Sequence, residues 1–432
     1  MFSISASVFQ KELDNLYFPT QFSKNFAEGN AHHLCHLNSD FYFESIHKHR
    51  LPQLYDVVNR VHKILMLNDI LPEKISFLAG DSHNGGKRPF LIETAKEKKV
   101  IKFADPRPYL LLREILLLLS SDLDIDLTPP NIHSDKNNEW YIIPFIDNNS
   151  PLKKSVLKKG MFALGVLTAV AFCIGMVDIH VENLVMDGNK PIIIDPECIF
   201  YHFGNYNTSE RLLNTGLVGH NQHLSAMRGG DTENVPIFEF APFIDQEGQL
   251  NYRKPIYDFS NRFTDINGKK VDPKLFKNEV IKGYKAAFNW FCNNLSLIQH
   301  IVNTYVADDF RIRVLARKTR HYSSVIHMLN MPIEQGYTAW ETNILSRFME
   351  SGSLLDHISP TLLSTEIYDI KKRDIPYFWA NAGQHFVFHS MGVMQTLPKN
   401  KTPIQLIAED FSKLREHNID EQIKTLDKFL TD

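Results

Sequence analysis

The sequence predicts an α+β protein with two lobes and added helical segments. Residues 71–150 alternate short apolar and β-branched runs with one leucine-rich helical segment, which is typical of a small lobe built on a sheet. Residues 161–177 are almost entirely apolar and lead directly into acidic and amide side chains. A hairpin and a further apolar strand follow, so we expect a larger lobe in which a buried helix delivers a polar loop. The 432 residues are enough for substantial cores in both lobes.

Four regions follow one another along the chain. The sequence predicts an N-terminal helical segment at 1–70, a small lobe at 71–150, a large lobe at 151–390 and C-terminal helices at 391–432. Within the large lobe, residues 206–260 contain several Gly and Pro residues and little periodicity. We therefore expect a long irregular segment there, of the kind that forms a lid over a site.

Composition narrows the functional classes. The formal net charge of −3 provides no basic field, so we expect no nucleic-acid partner. The four cysteines, Cys35, Cys173, Cys198 and Cys292, are scattered without the paired spacing of a zinc site and fit a reducing compartment. The first residues do not have the basic start and long apolar core of a secretion signal. We therefore expect a cytoplasmic location.

The apolar run at 161–177 has two interpretations. It is slightly shorter than a usual membrane span, contains Gly165 and Gly175, and continues straight into acidic residues. A buried helix that carries a polar loop explains these features better than a transmembrane helix does, so we expect no membrane span.

The polar loop has the spacing of an ATP-dependent phosphoryl-transfer site. Asp178 and Asn183 are five residues apart, as are the proton-accepting acid and the Mg²⁺-binding amide of kinases. After the hairpin, Asp195 ends a β-branched strand and Glu197 adds a second carboxylate, so Asn183, Asp195 and Glu197 are the candidate metal ligands. His180 lies inside the first motif, an order that resembles lipid kinases. We therefore predict a lipid-kinase-like two-lobed core with ATP and Mg²⁺; the other interpretation is a polar turn before a core strand.

An ATP site also needs a lysine on a strand and a turn that can hold phosphate. Lys102 ends a short alternating strand, and Glu114 in the next helix is either its ion-pair partner or a solvated helix residue. A Gly-rich turn that contains Asp81 and His83 precedes this strand. The backbone N–H groups of such a turn can hold phosphate, although the same kind of turn connects hairpins.

Taken together, these motifs make the chain similar to a known family, the dehydratase domain of class II lanthipeptide synthetases. The similarity spans roughly residues 75–390, and six segments follow the family's order. The segments are Gly80-Asp81-Ser-His83, Lys102, Asp178-Ile-His180-Val-Glu-Asn183, Pro191-Ile-Ile-Ile-Asp195-Pro-Glu197, Arg311 to Tyr322 and Glu366 to Phe378.

The resemblance implies a two-step reaction on a ribosomally made precursor peptide. ATP and Mg²⁺ serve to phosphorylate Ser and Thr hydroxyls, and elimination of the phosphate then leaves dehydroalanine or dehydrobutyrine. Arg313 and Thr319 match the elimination positions, whereas the step served by Asp81 and His83 stays open. The phosphorylation positions are Lys102, Asp178, His180, Asn183, Asp195 and Glu197.

Elementary chemistry fits the elimination positions. Arginine is a fixed, bidentate phosphate donor, and a threonine hydroxyl can bond to a phosphate oxygen. Histidine transfers protons near neutral pH, so His83 and His180 are both candidate bases. Taken alone, the segment around Arg313 would be a solvated basic strand or helix face.

Three functions compete at this stage. The first is the two-step dehydratase, the second is a peptide or protein Ser/Thr kinase without elimination activity, and the third is a pseudokinase that only binds a peptide. The cysteine pattern also predicts that this chain does not form thioether rings itself, since the cyclase of this family needs Cys and His metal ligands. A separate cyclase or lyase would then be a partner in addition to the precursor peptide.

Overall fold

The computed structural model of the protein describes residues 51–78, 82–147, 150–203, 207–219, 225–227, 241–244, 250–253, 263–329, 337–397 and 400–431. Helices and antiparallel strands are mixed along these ranges, so the predicted α+β class is confirmed. The predicted helices before residue 51, the site candidate Asp81 and most of the predicted irregular segment lie outside the described residues.

An antiparallel sheet of five strands forms the first part of the fold. Its strands are β1 (Lys74–Phe77), β2 (Phe90–Glu93), β3 (Lys98–Lys102), β4 (His133–Ser134) and β5 (Tyr141–Pro144), in the spatial order β1-β2-β3-β5-β4. Because successive side chains of a strand point to opposite faces, the sheet has two separate apolar faces. Helix α1 (Leu51–Leu67) packs on one face through Val57 and Val61, and α2 (Arg107–Asp122) contributes Tyr109 to the other.

The rest of the described chain is mainly helical. In order, its elements are α3 (Lys154–Cys173), a 3₁₀ turn (Val181–Asn183), β6 (Leu184–Asp187), β7 (Lys190–Ile193), α4 (Thr208–Asn214), β8 (Ala241–Ile244), β9 (Leu250–Arg253), a 3₁₀ turn (Pro273–Phe276), α5 (Lys277–Asn293), α6 (Leu295–Tyr305), β10 (Arg311–Val314), α7 (Thr319–Leu329), α8 (Tyr337–Glu350), α9 (Pro360–Lys371), β11 (Phe378–Asn381), β12 (Phe386–His389), β13 (Gly392–Thr396), α10 (Pro403–Lys413), a 3₁₀ turn (Leu414–Glu416) and α11 (Ile419–Phe429).

Two sequence expectations need correction here. The segment predicted to be irregular contains α4 and the β8–β9 hairpin; α4 begins with a capping box in which Asn207 and Glu210 bond to each other's backbone N–H groups. The sequence predicts C-terminal helices at 391–432, but β13 lies in this range before α10 and α11, and β11 and β12 precede it. These strands are only four or five residues long, which leaves little periodicity to recognise.

Helix α3 is the apolar helix predicted before the polar loop. By length and composition it could cross a membrane, but 78% of its most apolar window is buried inside the protein, as in a core helix. It packs closely on α5: a Cβ atom on Gly165 would lie 1.9 Å from the carbonyl oxygen of Val280, and one on Gly283 would lie 2.0 Å from that of Phe162. The two backbones can approach this closely only because neither glycine has a side chain.

A second antiparallel sheet, in the order β10-β11-β12-β13, lies late in the chain. Ile312 and Val314 of β10 are buried in the main hydrophobic core, while Arg313 between them points to the opposite face. In the register of the sheet, Arg313 is opposite Trp379 of β11. The sheet therefore presents Arg313 on the face turned away from the core.

The contact between α3 and α5 yields a stability prediction. We expect Gly165→Ala to lower the free energy of unfolding by about 1–3 kcal/mol, because the added methyl group forces two packed backbones apart. Chemical denaturation measures this change. Gly352→Ala is the control, since an added Cβ there meets no atom within 4 Å. Equal stability of the two variants would contradict the close packing.

Candidate active site

Asp178 lies in a strained turn directly after the end of α3. Its φ of 63° is in the left-handed region, which costs most residues about 1–2 kcal/mol and which Asp tolerates better than most. Asn183 fixes this turn, because its Nδ2 donates to the carbonyl oxygen of Asp178 at 2.8 Å. Strained backbone of this kind persists where the surroundings hold it and is concentrated at functional sites.

Asp195 is held next to Asn183 by the hairpin. The backbone N–H of Ile194 donates to the carbonyl oxygen of Asn183 at 3.0 Å. From the first sheet, the buried Lys102 reaches the same place: its Nζ lies 3.2 Å from Asp195 Oδ1 and donates to the carbonyl oxygen of Ile194 at 2.7 Å. Lys102 therefore joins β3 to the strand end that carries Asp195.

The ion pair between Lys102 and Glu114 that the sequence left open is absent from the contacts of the described residues. Lys102 pairs with Asp195 instead. Glu114 on α2 lies near Tyr305 at the end of α6, where its charge helps to raise the pKa of the tyrosine after burial, the larger cause. The alternative interpretation, in which Glu114 belongs to a helix surface and not to the site, fits this structure.

Glu197 connects the hairpin region to the second sheet. Its Oε1 accepts a short hydrogen bond from Nη1 of Arg313, and its Oε2 accepts one from the hydroxyl of Tyr377 at 3.0 Å. The side chains of Glu197 and Arg313 are about nine-tenths buried, with 11% and 10% exposed. A buried carboxylate needs such partners, because an unpaired charge in a poorly solvated place is costly.

His83 faces this ion pair from the Gly-rich turn. Its ring stacks on Tyr377 with centroids 4.7 Å apart, and its buried Nδ1 has no hydrogen-bond partner among the described residues. Burial, with a smaller contribution from the charge of Arg313, lowers the pKa of His83 to about 3. The imidazole is therefore neutral at pH 7, with Nδ1 able to donate or accept according to the tautomer.

Asp374 anchors the turn that carries His83. One oxygen of its buried carboxylate accepts from Gly85 N at 2.6 Å and Gly86 N at 3.2 Å, and the other accepts from Ser82 Oγ at 3.0 Å. The turn residues Gly85 and Gly86 have φ values of 84° and 82°, which suit glycine. Asp81, which immediately precedes this anchored turn in sequence, lies outside the described residues.

Two of the predicted site residues make few contacts with the rest of the site. His180 is partly exposed, with 37% of its side chain accessible, and its Nδ1 accepts from the backbone N–H of Glu182 at 3.3 Å. Thr319 is the first residue of α7, and no hydrogen bond or ring contact between it and Arg313 is described. The structure thus places His180 at the edge of the loop and leaves the pairing of Thr319 with Arg313 a prediction.

The charged groups of this site shift one another's pKa values. Burial raises the pKa of Asp178, while the nearby His180 and Arg313 act to lower it. Burial, the largest single cause, acts to lower the pKa of Arg313, but Glu197 and the other nearby acidic groups, including Asp178, together outweigh it and hold this pKa well above its ordinary value. Asp178 is thus a better proton acceptor than an exposed aspartate, and the guanidinium of Arg313 keeps its charge.

The oxygen atoms that could hold a cation are few. No group of three or more His, Cys, Asp and Glu side chains suited to a metal ion occurs among the described residues. Asn183 retains Oδ1 and Asp195 retains a carboxylate oxygen outside the ion pair with Lys102, whereas both oxygens of Glu197 are engaged. Two protein oxygens suit Mg²⁺, which is often bound by one or two such groups with water and substrate phosphates.

Sequence reasoning missed Tyr377 and Asp374 as members of the centre. Both lie in the short segment between α9 and β11, and both make their contacts with residues far away in sequence. The only sequence signal was that the segment from Glu366 to Phe378 matches the family's order. Local periodicity could not have assigned a partner to either side chain.

A mixed α+β fold that gathers buried acids, an amide and two cations in one place has the make-up of an enzyme active site. The chain belongs to the family described as "Domain of unknown function (DUF4135)", which matches residues 68–381. It is also 22% identical over 287 residues to the lacticin 481/lactococcin biosynthesis protein LcnDR2 of Lactococcus lactis subsp. lactis. That alignment covers 61% of this chain and 30% of the relative's length. The resemblance to the dehydratase domain of class II lanthipeptide synthetases is therefore confirmed.

The anchoring of the Gly-rich turn can be tested directly. We expect Asp374→Asn to speed amide hydrogen exchange at Gly85 and Gly86 roughly 10-fold, because a neutral amide oxygen accepts more weakly than the carboxylate: a hydrogen bond to a charged group is worth about 1.5–3 kcal/mol and a neutral one about 0.5–1.5 kcal/mol. Hydrogen–deuterium exchange with peptide-level mass spectrometry measures this. The exposed Asp356→Asn is the control. Unchanged exchange in Asp374→Asn would show that the carboxylate does not hold the turn.

Proposed function

We propose that this protein dehydrates Ser and Thr residues of a ribosomally made precursor peptide, first by ATP-dependent phosphorylation and then by phosphate elimination. The observation that carries the proposal is the contact between Glu197 and Arg313, which joins a predicted phosphorylation residue to a predicted elimination residue. A centre that holds both sets of groups can act on a phosphorylated side chain without releasing it. The relationship to a lacticin 481 biosynthesis protein supports a role in lanthipeptide maturation.

The phosphorylation half of the proposal rests on a lipid-kinase-like two-lobed arrangement. The five-stranded sheet would be the small lobe that supplies Lys102 for the phosphates, and the loop and hairpin would supply Asp178, Asn183 and Asp195. Asp178 would accept the hydroxyl proton of the peptide while the hydroxyl oxygen bonds to the terminal phosphorus of ATP and the bond from that phosphorus to the bridging oxygen breaks, which releases ADP. Its raised pKa favours this role.

Mg²⁺ would be held by Asn183 and Asp195 through the oxygens described above. In phosphoryl transfer this ion neutralises charge on the phosphate oxygens. Glu197 was also predicted as a ligand; with Arg313 and Tyr377 on its two oxygens, it could bind the ion only after releasing one of them.

The elimination half needs a cation for the phosphate and a base for the α-proton. Arg313 is the cation, since it is buried, charged and bonded by only one of its N–H groups to Glu197. A base removes the α-proton, the electrons of the C–H bond form the carbon–carbon double bond, and phosphate leaves with the electrons of the C–O bond. By position His83 is the better of the two histidine candidates, because it lies next to this cation and its buried Nδ1 has no partner among the described residues; its pKa of about 3 makes it a weaker base than an ordinary histidine.

A kinase without elimination activity is the second candidate. The observation that favours it is the lack of any described contact between Thr319 and Arg313, because the two residues are expected to share the leaving phosphate. Mass spectrometry of the precursor after incubation with ATP and Mg²⁺ separates the two functions. Loss of one water for each modified site supports the dehydratase, and a stable phosphate adduct supports the kinase.

Removal of the proposed base for phosphorylation should stop the first step. We expect Asp178→Ala to lower the rate of peptide phosphorylation roughly 10²- to 10⁴-fold, the usual contribution of a positioned proton acceptor. Asp178→Asn should lower the rate of phosphorylation to a similar extent. Asn tolerates the left-handed backbone at this position, so this variant removes the carboxylate without disturbing the loop. Incorporation of labelled phosphate from ATP is the measurement, with the exposed Asp356→Ala as control. Full phosphorylation by Asp178→Asn would refute this assignment.

Removal of the proposed phosphate-binding cation should separate the two steps. We expect Arg313→Ala to accumulate phosphopeptide and to slow elimination roughly 10²- to 10³-fold, because a charged donor to the developing phosphate is lost. Arg311→Ala on the same strand is the matched control, since that side chain is exposed and lies over Trp379. If Arg313→Ala yields fully dehydrated peptide at the normal rate, the two-step assignment is wrong.

A further inference from the structure

Tyr377 occupies a position in the centre that none of the predicted roles explains. It lies between α9 and β11, and its half-buried ring contacts two groups of the site. The ring stacks on His83 at 4.7 Å and 23°, and the guanidinium carbon of Arg313 lies 5.2 Å from the ring centroid. The ring thus links the neutral imidazole and the cation by direct contact with both.

The hydroxyl of Tyr377 and the guanidinium of Arg313 bond to different oxygens of Glu197. A carboxylate and a guanidinium frequently form two parallel hydrogen bonds. Here the hydroxyl donates to Oε2 of Glu197 at 3.0 Å, and only Oε1 accepts from Arg313. The pair is held through one N–H group instead of two.

Because only one N–H group of Arg313 bonds to Glu197, other hydrogen-bond donors of its guanidinium remain unused. A guanidinium has five N–H groups, and the described contacts of the Arg313 side chain are the bond from Nη1 to Glu197 and the approach to the Tyr377 ring. Only 10% of the side chain is exposed, but Nε and Nη2 are not among the buried atoms that lack a partner in the described part of the chain, so these donors are accessible to a ligand. A buried cation with unused donors is suited to an oxyanion with several acceptor oxygens, such as a phosphate group.

We propose that Tyr377 is a positioning residue that keeps Glu197 from closing on Arg313 through both oxygens and so holds Arg313 open for the phosphate of the phosphorylated peptide. This inference rests on the proposed two-step function and assigns Tyr377 mainly to the second step. Without the hydroxyl, Oε2 of Glu197 is free to take a second N–H of Arg313. The cation is then neutralised more completely and offers less to phosphate.

The test compares Tyr377→Phe with wild type on the two steps separately. The substrates are the candidate precursor peptide in unmodified form and the same peptide synthesised with one phosphoserine. We expect the variant to show a KM for the phosphopeptide about tenfold higher, the effect of one lost interaction of about 1.4 kcal/mol, and a smaller change in the phosphorylation of the unmodified peptide. A general folding defect would lower both activities, so the contrast between the steps is informative.

Tyr368→Phe is the matched control, because this tyrosine is 43% exposed on α9 and its hydroxyl accepts from Lys372 on the same helix turn. It should match wild type in both steps. If Tyr377→Phe also matches wild type in elimination, or if it loses both steps equally, the positioning role is overturned.

A second measurement does not depend on turnover. Inorganic phosphate is titrated into wild type, Tyr377→Phe and Arg313→Ala by calorimetry, and we expect about tenfold weaker binding in Tyr377→Phe and none in Arg313→Ala. Equal binding by wild type and Tyr377→Phe would overturn the inference. An inactive wild type that still shows this order of phosphate affinities would instead refute the proposed function and leave the role of Tyr377 in phosphate binding supported.

Discussion

The carboxylate of Glu197 is the point on which the candidate site depends. It is nine-tenths buried, and it is acceptable there only because Arg313 and Tyr377 both donate to it. The three residues come from the chain after β7, from β10 and from the segment before β11. One buried charge thus fixes the second sheet against the hairpin region, and removal of either donor would leave the carboxylate less compensated.

A second buried carboxylate, that of Asp374, lies three residues before Tyr377 in the sequence. Asp374 holds the turn of His83 through backbone N–H groups that are 288 and 289 residues away in sequence. The short segment 374–377 therefore ties the first sheet to the second. Contacts of such long range carry a large entropy cost of loop closure, which their hydrogen bonds must offset.

These two contacts also explain what the sequence could and could not predict. Local patterns were sufficient for the strand of Lys102, the helix α3 and the hairpin after Asn183, because hydrophobic period and turn residues are local signals. The spacing of Asp178, Asn183 and Asp195 was sufficient to expect them together. The partner of Lys102 was not decidable: Glu114 and Asp195 are both suitable acids, and only the tertiary packing places Asp195 within 3.2 Å. Tyr377 escaped notice because its role is defined entirely by residues elsewhere in the chain.

The balance of charge in the centre bears on what it can bind. Among the described residues named in the phosphorylation and elimination steps, Asp178, Asp195 and Glu197 supply three carboxylates and Lys102 and Arg313 supply two cations, which gives 3 − 2 = 1 excess negative charge if all the acids are ionised. A nucleotide triphosphate adds several more negative charges, and repulsion between them in a poorly solvated site would oppose binding.

Two features reduce that repulsion. Burial raises the pKa of Asp178, so this acid carries its charge less readily than an exposed one would. Asn183 supplies an oxygen without a charge, and under the proposed function it would hold, together with Asp195, the divalent cation that accompanies the phosphates. The carboxylate of Glu197 stabilises the guanidinium of Arg313 through a single bond and leaves its other donors available. A slightly acidic centre would therefore suit a ligand that brings its own metal ion, and Arg313 would remain available for the phosphate in the proposed reaction.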